Sequence, residues 1–217
     1  MKRKSKRVVL VTGFEPFGGE ATNPSGQIAQ ALDGREIGGR RVRGAVLPCV
    51  FGRAIEELRR LLREHRPELV IAVGQAGGRA EITPERVAIN VDDARIADNR
   101  GRQPVDRSIV RGGPAAYWST LPIKAIVAEL RARGVPASVS QTAGTFVCNH
   151  AFYGLMHGLR RKKGMRGGFV HVPFAEEQGK RGQPSLPLAT MTEAVATAVE
   201  VALKTRRDRR EAGGRVA

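Results

Sequence analysis

The stretch Thr142-Ala-Gly-Thr-Phe-Val-Cys-Asn-His-Ala-Phe-Tyr-Gly-Leu-Met-His-Gly-Leu159 decides how the chain is read. Ahead of it, Ala137 to Ser140 reads as a strand that stops at Gln141, and Ala143 and Gly144 make a bend of small residues. After Phe146 and Val147 comes Cys148. From there Phe152, Leu155, Met156 and Leu159 recur at helical spacing. Cys148 is therefore expected at or near a helix start. Unpaired backbone N–H groups and the positive end of the helix dipole there favour thiolate over thiol, and thiolate is the nucleophile. The same N–H groups could hold an oxyanion. A buried cysteine that packs as a small hydrophobe is the competing reading.

The pattern of strand, turn and helix repeats outward in both directions. Arg7 to Thr12 reads as a buried strand, followed by the turn Gly13-Phe-Glu-Pro-Phe-Gly-Gly19 and a helix from Ser25 to Leu32. Arg41 to Leu47 is a second strand. Phe51, Ile55, Leu58, Leu61 and Leu62 are the apolar stripe of a second helix. Leu69 to Val73 is a strand feeding the glycine-rich loop Gly74-Gln-Ala-Gly-Gly78, which lacks the spacing of a dinucleotide or P-loop site. Val87 to Asn90 reads as another strand, and Val91 to Leu121 as a long loop of the functional or interfacial kind. Pro122 opens a helix at its first position, stopped by Gly134. Gly168 to Val172 is a strand ended by Pro173. Thr190-Met-Thr-Glu193 fits a capping box that launches the last helix. Strands and helices alternate throughout, which predicts a single three-layer α/β/α domain with a mostly parallel, mixed central sheet.

At 217 residues the chain has length for one sizeable core. The expected division is a basic extension at 1–6, the α/β domain at 7–204 and a basic, disordered tail at 205–217. Two cysteines, Cys49 and Cys148, make neither a disulfide framework nor a zinc pattern, and point to a reduced, cytoplasmic setting. The apolar run Val8 to Val11 is too short for export or for spanning a membrane. The formal net charge is +16, with basic runs at Lys2 to Arg7 and Lys204 to Arg210. Aromatics are 5% of residues, and no basic groove interleaved with them is visible, so nucleic acid is not the expected partner.

A catalytic cysteine needs an imidazole in reach and a third group to orient it. His65 sits at a polar helix end. His150 is two residues from Cys148, about 200° around a helix, and His157 is more than two turns away. His171 lies near the carboxyl end of a strand, where open α/β sheets bind ligands, and is the best base by position. Filling core space is the alternative reading for it. Glu81, Glu85, Asp92, Asp93 and Asp98 all compete for the third place, and spacing does not choose among them.

Seven segments together resemble the pyroglutamyl peptidase I (pyrrolidone carboxyl peptidase) family of cysteine peptidases. They are Thr12 to Gly19 with Asn23-Pro-Ser25; Gly74 to Arg79; Ile82-Thr-Pro-Glu-Arg-Val-Ala-Ile-Asn90; Ala94-Arg95 with Asp98-Asn99; Gly112 to Trp118; Thr142 to Asn149; and Gly167-Gly-Phe-Val-His171. They run in family order over roughly residues 7 to 203. The resemblance implies removal of an N-terminal pyroglutamyl residue from peptides, with Cys148 as nucleophile, His171 as base and Glu85 as orienting acid. It implies that Phe14, Phe17 and Phe146 sandwich the ring beside Val147, and that Gln75 reads the lactam edge. The resemblance also places Asn23 among the substrate-binding residues, with ordering of the first loop as its other reading, and implies that Arg95 joins the Cys148 backbone at the oxyanion. It also implies a homotetramer, with no metal or organic cofactor. A phosphorylase-like enzyme and a basic, catalytically lapsed nucleic-acid-binding protein are the competing classes.

Overall fold

The computed structural model describes residues 7–214. The expected N-terminal extension at 1–6 and the last three residues of the expected tail lie outside the described residues. The elements in order are β1 (Val8–Phe14), α1 (Pro24–Leu32), β2 (Glu36–Ile37), β3 (Arg40–Leu47), α2 (Arg53–His65), β4 (Leu69–Gln75), β5 (Thr83–Pro84), β6 (Val87–Ile89), β7 (Ala116–Trp118), α3 (Ile123–Ala132), α4 (Val147–Leu159), β8 (Arg166–Val172), β9 (Phe174–Ala175), β10 (Ser185–Leu186) and α5 (Leu188–Lys204). The main sheet has the order β2-β3-β1-β4-β8-β5. Its four inner strands are parallel, and β2 and β5 close the two edges antiparallel.

Parity along the strands sorts the side chains into two cores. Val9, Val11, Leu69, Ile71, Val73, Val170 and Val172 pack with α1, α3 and α5 on one face. Leu10, Val70, Ala72 and Phe169 pack with α2 and α4 on the other. This is the expected three-layer arrangement, and it explains why β1 and β4 read as unbroken apolar runs: both faces are covered. β1 leads through α1 to β3 on one side, while β4 leads toward β8 on the other. The carboxyl ends of β1 and β4 therefore flank a point where the winding reverses, the usual place for a ligand site in such sheets.

Four local expectations need correction. Ala137–Ser140 is extended but makes isolated bridges, Ile82 to Ala137 and Glu85 to Ser140, and no continuous strand. Ile82 N–H donates to Pro136 O and Arg86 N–H to Ser140 O; between them Pro84 has no N–H to give, so the ladder is interrupted. The Thr190–Glu193 capping box does not form. The last helix begins earlier, at Leu188, whose N–H donates to the Glu177 carboxylate, while Glu193 pairs with Arg35. The 87–90 strand exists as β6, but the expected long loop contains a strand of its own, β7, and the two pair in a separate two-stranded ribbon. Pro122 is the N-cap of α3 and not its first residue. In the segment expected to be a tail, the Asp208 carboxylate accepts from Lys124 N–H and Ala125 N–H at the start of α3. Gly213 O accepts from Arg86. Among the described residues no helix is long and apolar enough to cross a membrane.

Candidate active site

Cys148 is the second residue of α4 and is half-buried. The helix begins sharply because Gly144 takes the left-handed conformation, φ 74°, in the bend before it. The first bond that closes the helix runs from His150 N–H to Phe146 O, so the N–H groups of 147, 148 and 149 have no acceptor within it. Asn149 fixes the turn from behind. Its amide donates to Ile89 O and Val91 O, and its oxygen accepts from Ile89 N–H.

His171 stands in register with Gly74 across the β4–β8 ladder. A Cβ built on Gly74 would lie 2.8 Å from Cys148 Sγ and 2.8 Å from the Phe169 ring. The sulfur thus occupies the space a side chain at 74 would take. Phe169 and His171 share one strand face, their ring centroids 4.8 Å apart, and Val170 and Val172 face the opposite core. Cys148 and His171 are therefore on the same side of the sheet.

His171 Nδ1 lies 2.7 Å from Glu85 Oε1, with Glu85 fully buried. Glu85 is brought there by its own N–H, which donates to Phe169 O, and by β5, whose Thr83 pairs with His171. Arg79 also donates to Glu85 Oε1, at 2.7 Å, and to Thr83 Oγ1 and Thr142 O. Burial alone would raise the Glu85 pKa. The hydrogen bond with His171 and the charge of Arg79 outweigh it and hold the carboxylate below its usual range. An ionised Glu85 only accepts, so Nδ1 carries the imidazole proton and Nε2 is left as the basic nitrogen. Burial pushes His171 below its ordinary value against the upward pull of Glu85.

The thiol differs from the sequence expectation. Burial, reinforced by the negative charge of Glu85 and opposed by Arg79, pushes Cys148 up to about 12. Enclosure at Gly74 and Phe169 thus opposes the helix mouth, and both directions favour the neutral forms of the thiol and the imidazole.

The remaining expected residues divide by exposure. Phe17 and Phe146 are partly exposed, with ring centroids 5.8 Å apart; Phe51 meets Phe146 edge-on at 5.4 Å. Phe14 is buried against Phe169, and Val147 is buried in the α4 core, so both lie behind the site wall. Asn23 caps α1, accepting from Ser25 N–H and donating to Glu15 O. Gln75, at the end of β4, accepts from Gln178. Arg95 is exposed on its loop. Among the described residues no group of three or more His, Cys, Asp or Glu could hold a metal ion.

Sequence reasoning missed Arg79 as a partner of Glu85. Its signal was present: a fully buried carboxylate needs a cation, and Arg79 ends the glycine loop facing it. It also missed that Asp92, a candidate third residue, belongs to His150. The His150 Nε2 accepts from Gly52 N–H, so Nδ1 carries the proton facing Asp92, 2.8 Å away. Tyr117 OH bonds His157, and His65 lies beside Glu64.

The model of the family described as pyroglutamyl peptidase matches residues 7–205. This chain belongs to the pyroglutamyl peptidase family. It is 61% identical over 212 residues to the pyrrolidone-carboxylate peptidase of Cupriavidus taiwanensis, covering 96% of this chain and 98% of that one. Identity to the pyrrolidone-carboxylate peptidase of Klebsiella pneumoniae is 59% over 208 residues, covering 95% and 97%. The crystal structure of pyroglutamyl peptidase I from Bacillus amyloliquefaciens superposes with a TM-score of 0.92 at 48% identity, covering 95% of this chain and all of that one. Like its relatives in the pyroglutamyl peptidase family, the chain is a cysteine-type hydrolase. The family match ends at 205, so the Asp208 and Gly213 contacts lie beyond it.

Proposed function

We propose that this protein hydrolyses the bond after an N-terminal pyroglutamyl residue of a peptide, with Cys148 as nucleophile, His171 as base and Glu85 as orienting acid. The observation that carries this reading is the 2.7 Å contact between His171 Nδ1 and Glu85, made on the strand face that Cys148 shares.

Attack begins from the neutral pair. His171 Nε2 takes the thiol proton as sulfur bonds to the carbonyl carbon, so charge develops only as the substrate is committed. Glu85 stabilises the imidazolium and keeps its tautomer. The free N–H groups at the start of α4 hold the tetrahedral oxyanion, with Arg95 supporting them; each donor contributes about 10²–10³ in rate. The imidazolium then returns the proton to the leaving amine. Water activated by His171 releases pyroglutamate from the thioester.

The pyroglutamyl ring is flat and uncharged, and Phe17 and Phe146 form its apolar wall with Phe14 and Val147 behind. At 5.8 Å the two outer rings touch each other, so the lactam enters as the Phe17 loop, anchored by Asn23, moves outward. Gln75 then exchanges Gln178 for the lactam edge. Trp118, 68% exposed, and Val105, 65% exposed, supply apolar surface for a homotetramer, and two free cysteines suit a reduced cytoplasm. Light scattering that gives a monomer mass would remove the tetramer.

The test is turnover of a fluorogenic pyroglutamyl amide in reducing buffer. The wild type should cleave it, and Cys148→Ser and His171→Ala should not. An inactive wild type would refute the assignment.

A further inference from the structure

An uncharged pyroglutamyl ring does not call for a net charge of +16, and the site described above leaves that excess unused. Much of it gathers at the opposite end of the sheet. There the amino ends of β1, β3 and β4, the segment before β8 and the carboxyl end of α2 enclose a hollow of about 1040 Å³. Seven cationic side chains line it: Arg7, Arg41, Arg43, Arg63, Arg66, Lys163 and Arg206. Apart from Arg7, which pairs with Glu68, none of them forms an ion pair with an acidic side chain among the described residues. Of the two acids in the wall, Glu64 is engaged by Arg60 and His65, and Glu68 by Arg7 and Arg40.

Cations are expected beside helix carboxyl ends, where they complement the dipole. That accounts for Arg63 and Arg66 at the end of α2. It does not account for Arg41 and Arg43, which lie on β3. Six of the seven are arginines, whose planar forks suit phosphate oxygens. The wall holds no Phe, Tyr or Trp, so it offers no platform for stacking bases and no aromatic anchor for a protein partner. The sequence immediately before Arg7 is Lys2-Arg-Lys-Ser-Lys6, which continues the same charge.

We infer that this hollow binds a run of linked phosphates by charge, without reading any base attached to them. The chemistry is shared by inorganic polyphosphate and by the backbone of a single-stranded nucleic acid. Residues remote in the sequence build the site, which is why no basic groove is visible in the chain read linearly.

The experiment is fluorescence anisotropy of a labelled oligodeoxythymidylate on the full chain across a salt series. Inorganic polyphosphate and poly-L-glutamate serve as competitors. The triple variant Arg41→Gln, Arg43→Gln, Arg63→Gln should weaken binding about tenfold or more and flatten the salt slope by about 2. A control triple with the same loss of charge, Arg107→Gln, Arg111→Gln, Arg181→Gln, lies outside the hollow and should change both far less. Polyphosphate should displace the oligonucleotide, and polyglutamate at equal charge should not. If polyphosphate displaces the label at lower phosphate concentration than unlabelled oligodeoxythymidylate does, the source is the anhydride-linked chain; the reverse order assigns the nucleic-acid backbone. Either order keeps the linked-phosphate claim. No binding of the labelled oligonucleotide, no displacement by polyphosphate, equal displacement by polyphosphate and polyglutamate, or equal losses in the two triple variants overturns it. Peptidase turnover in each variant, unchanged from wild type, reports an intact fold, and the three single variants carry the test if the triple fails to fold.

Discussion

Gly74 stands opposite His171 in the β4–β8 ladder, and the side chain that Gly74 lacks is replaced by the sulfur of Cys148. A missing methyl group on one strand thus makes room for the Cys148 sulfur on the face that carries His171 on the next. Gly74→Ala follows as a prediction. Its Cβ would sit 2.8 Å from Sγ and from the Phe169 ring, and neither neighbour is the free end of a flexible chain. The variant should lose about 1–3 kcal/mol of stability, read by denaturant melts. Its kcat/KM should fall far more than that loss explains. Wild-type turnover in a folded Gly74→Ala protein would contradict the placement of Cys148.

Glu85→Gln tests the orienting role through pH. Burial holds His171 below its ordinary value and Glu85 pulls it back up. The acid limb of kcat/KM in the wild type should therefore lie below the usual histidine value of about 6.5. Removing the carboxylate removes an upward pull, so the limb should move to still lower pH. The plateau should fall by about 10²–10⁴. A limb that stays in place or moves upward would contradict the account.

Arg79→Ala should act through Glu85. Arg79 is partly exposed and Glu85 is fully buried, so breaking the pair costs less than for two buried ions, about 1–3 kcal/mol at neutral pH. The sign with pH follows from the direction of the shift. The folded-state pKa of Glu85 is depressed. Its contribution is therefore present above the unfolded value and is lost as pH falls through the folded one. Without Arg79 the folded pKa rises, and the acid unfolding transition should move to higher pH. Arg79→Lys keeps the charge without the fork to Thr142 O and should fall between. An acid transition unmoved in Arg79→Ala would show that Glu85 does not depend on it.

Much of this was legible in the chain. The apolar runs at β1 and β4 announce strands covered on both faces, and the Phe152, Leu155, Met156, Leu159 stripe places Cys148 at a helix start. The strand position of His171 was legible and set it apart from the other histidines, with core filling left open. Its contact with Glu85 was not: it depends on β5 folding back along β8, a two-residue contact with no periodicity to read. The interruption at Pro84 needed knowledge of which residue pairs with it. The capping box at Thr190 was a local signal overridden by Glu177, which comes from a neighbouring turn. The burial of the Cys148 thiol was not legible, because helix position is local while enclosure by Gly74 and Phe169 is tertiary.

The most direct measurement is the mass of Cys148 during turnover. Acid quenching of the wild type with an activated pyroglutamyl ester should trap one pyroglutamyl group on the peptide that carries Cys148. The group should be absent in Cys148→Ser, and it should accumulate more slowly in His171→Ala. An acyl group found on another residue, or full turnover by Cys148→Ser, would contradict the account.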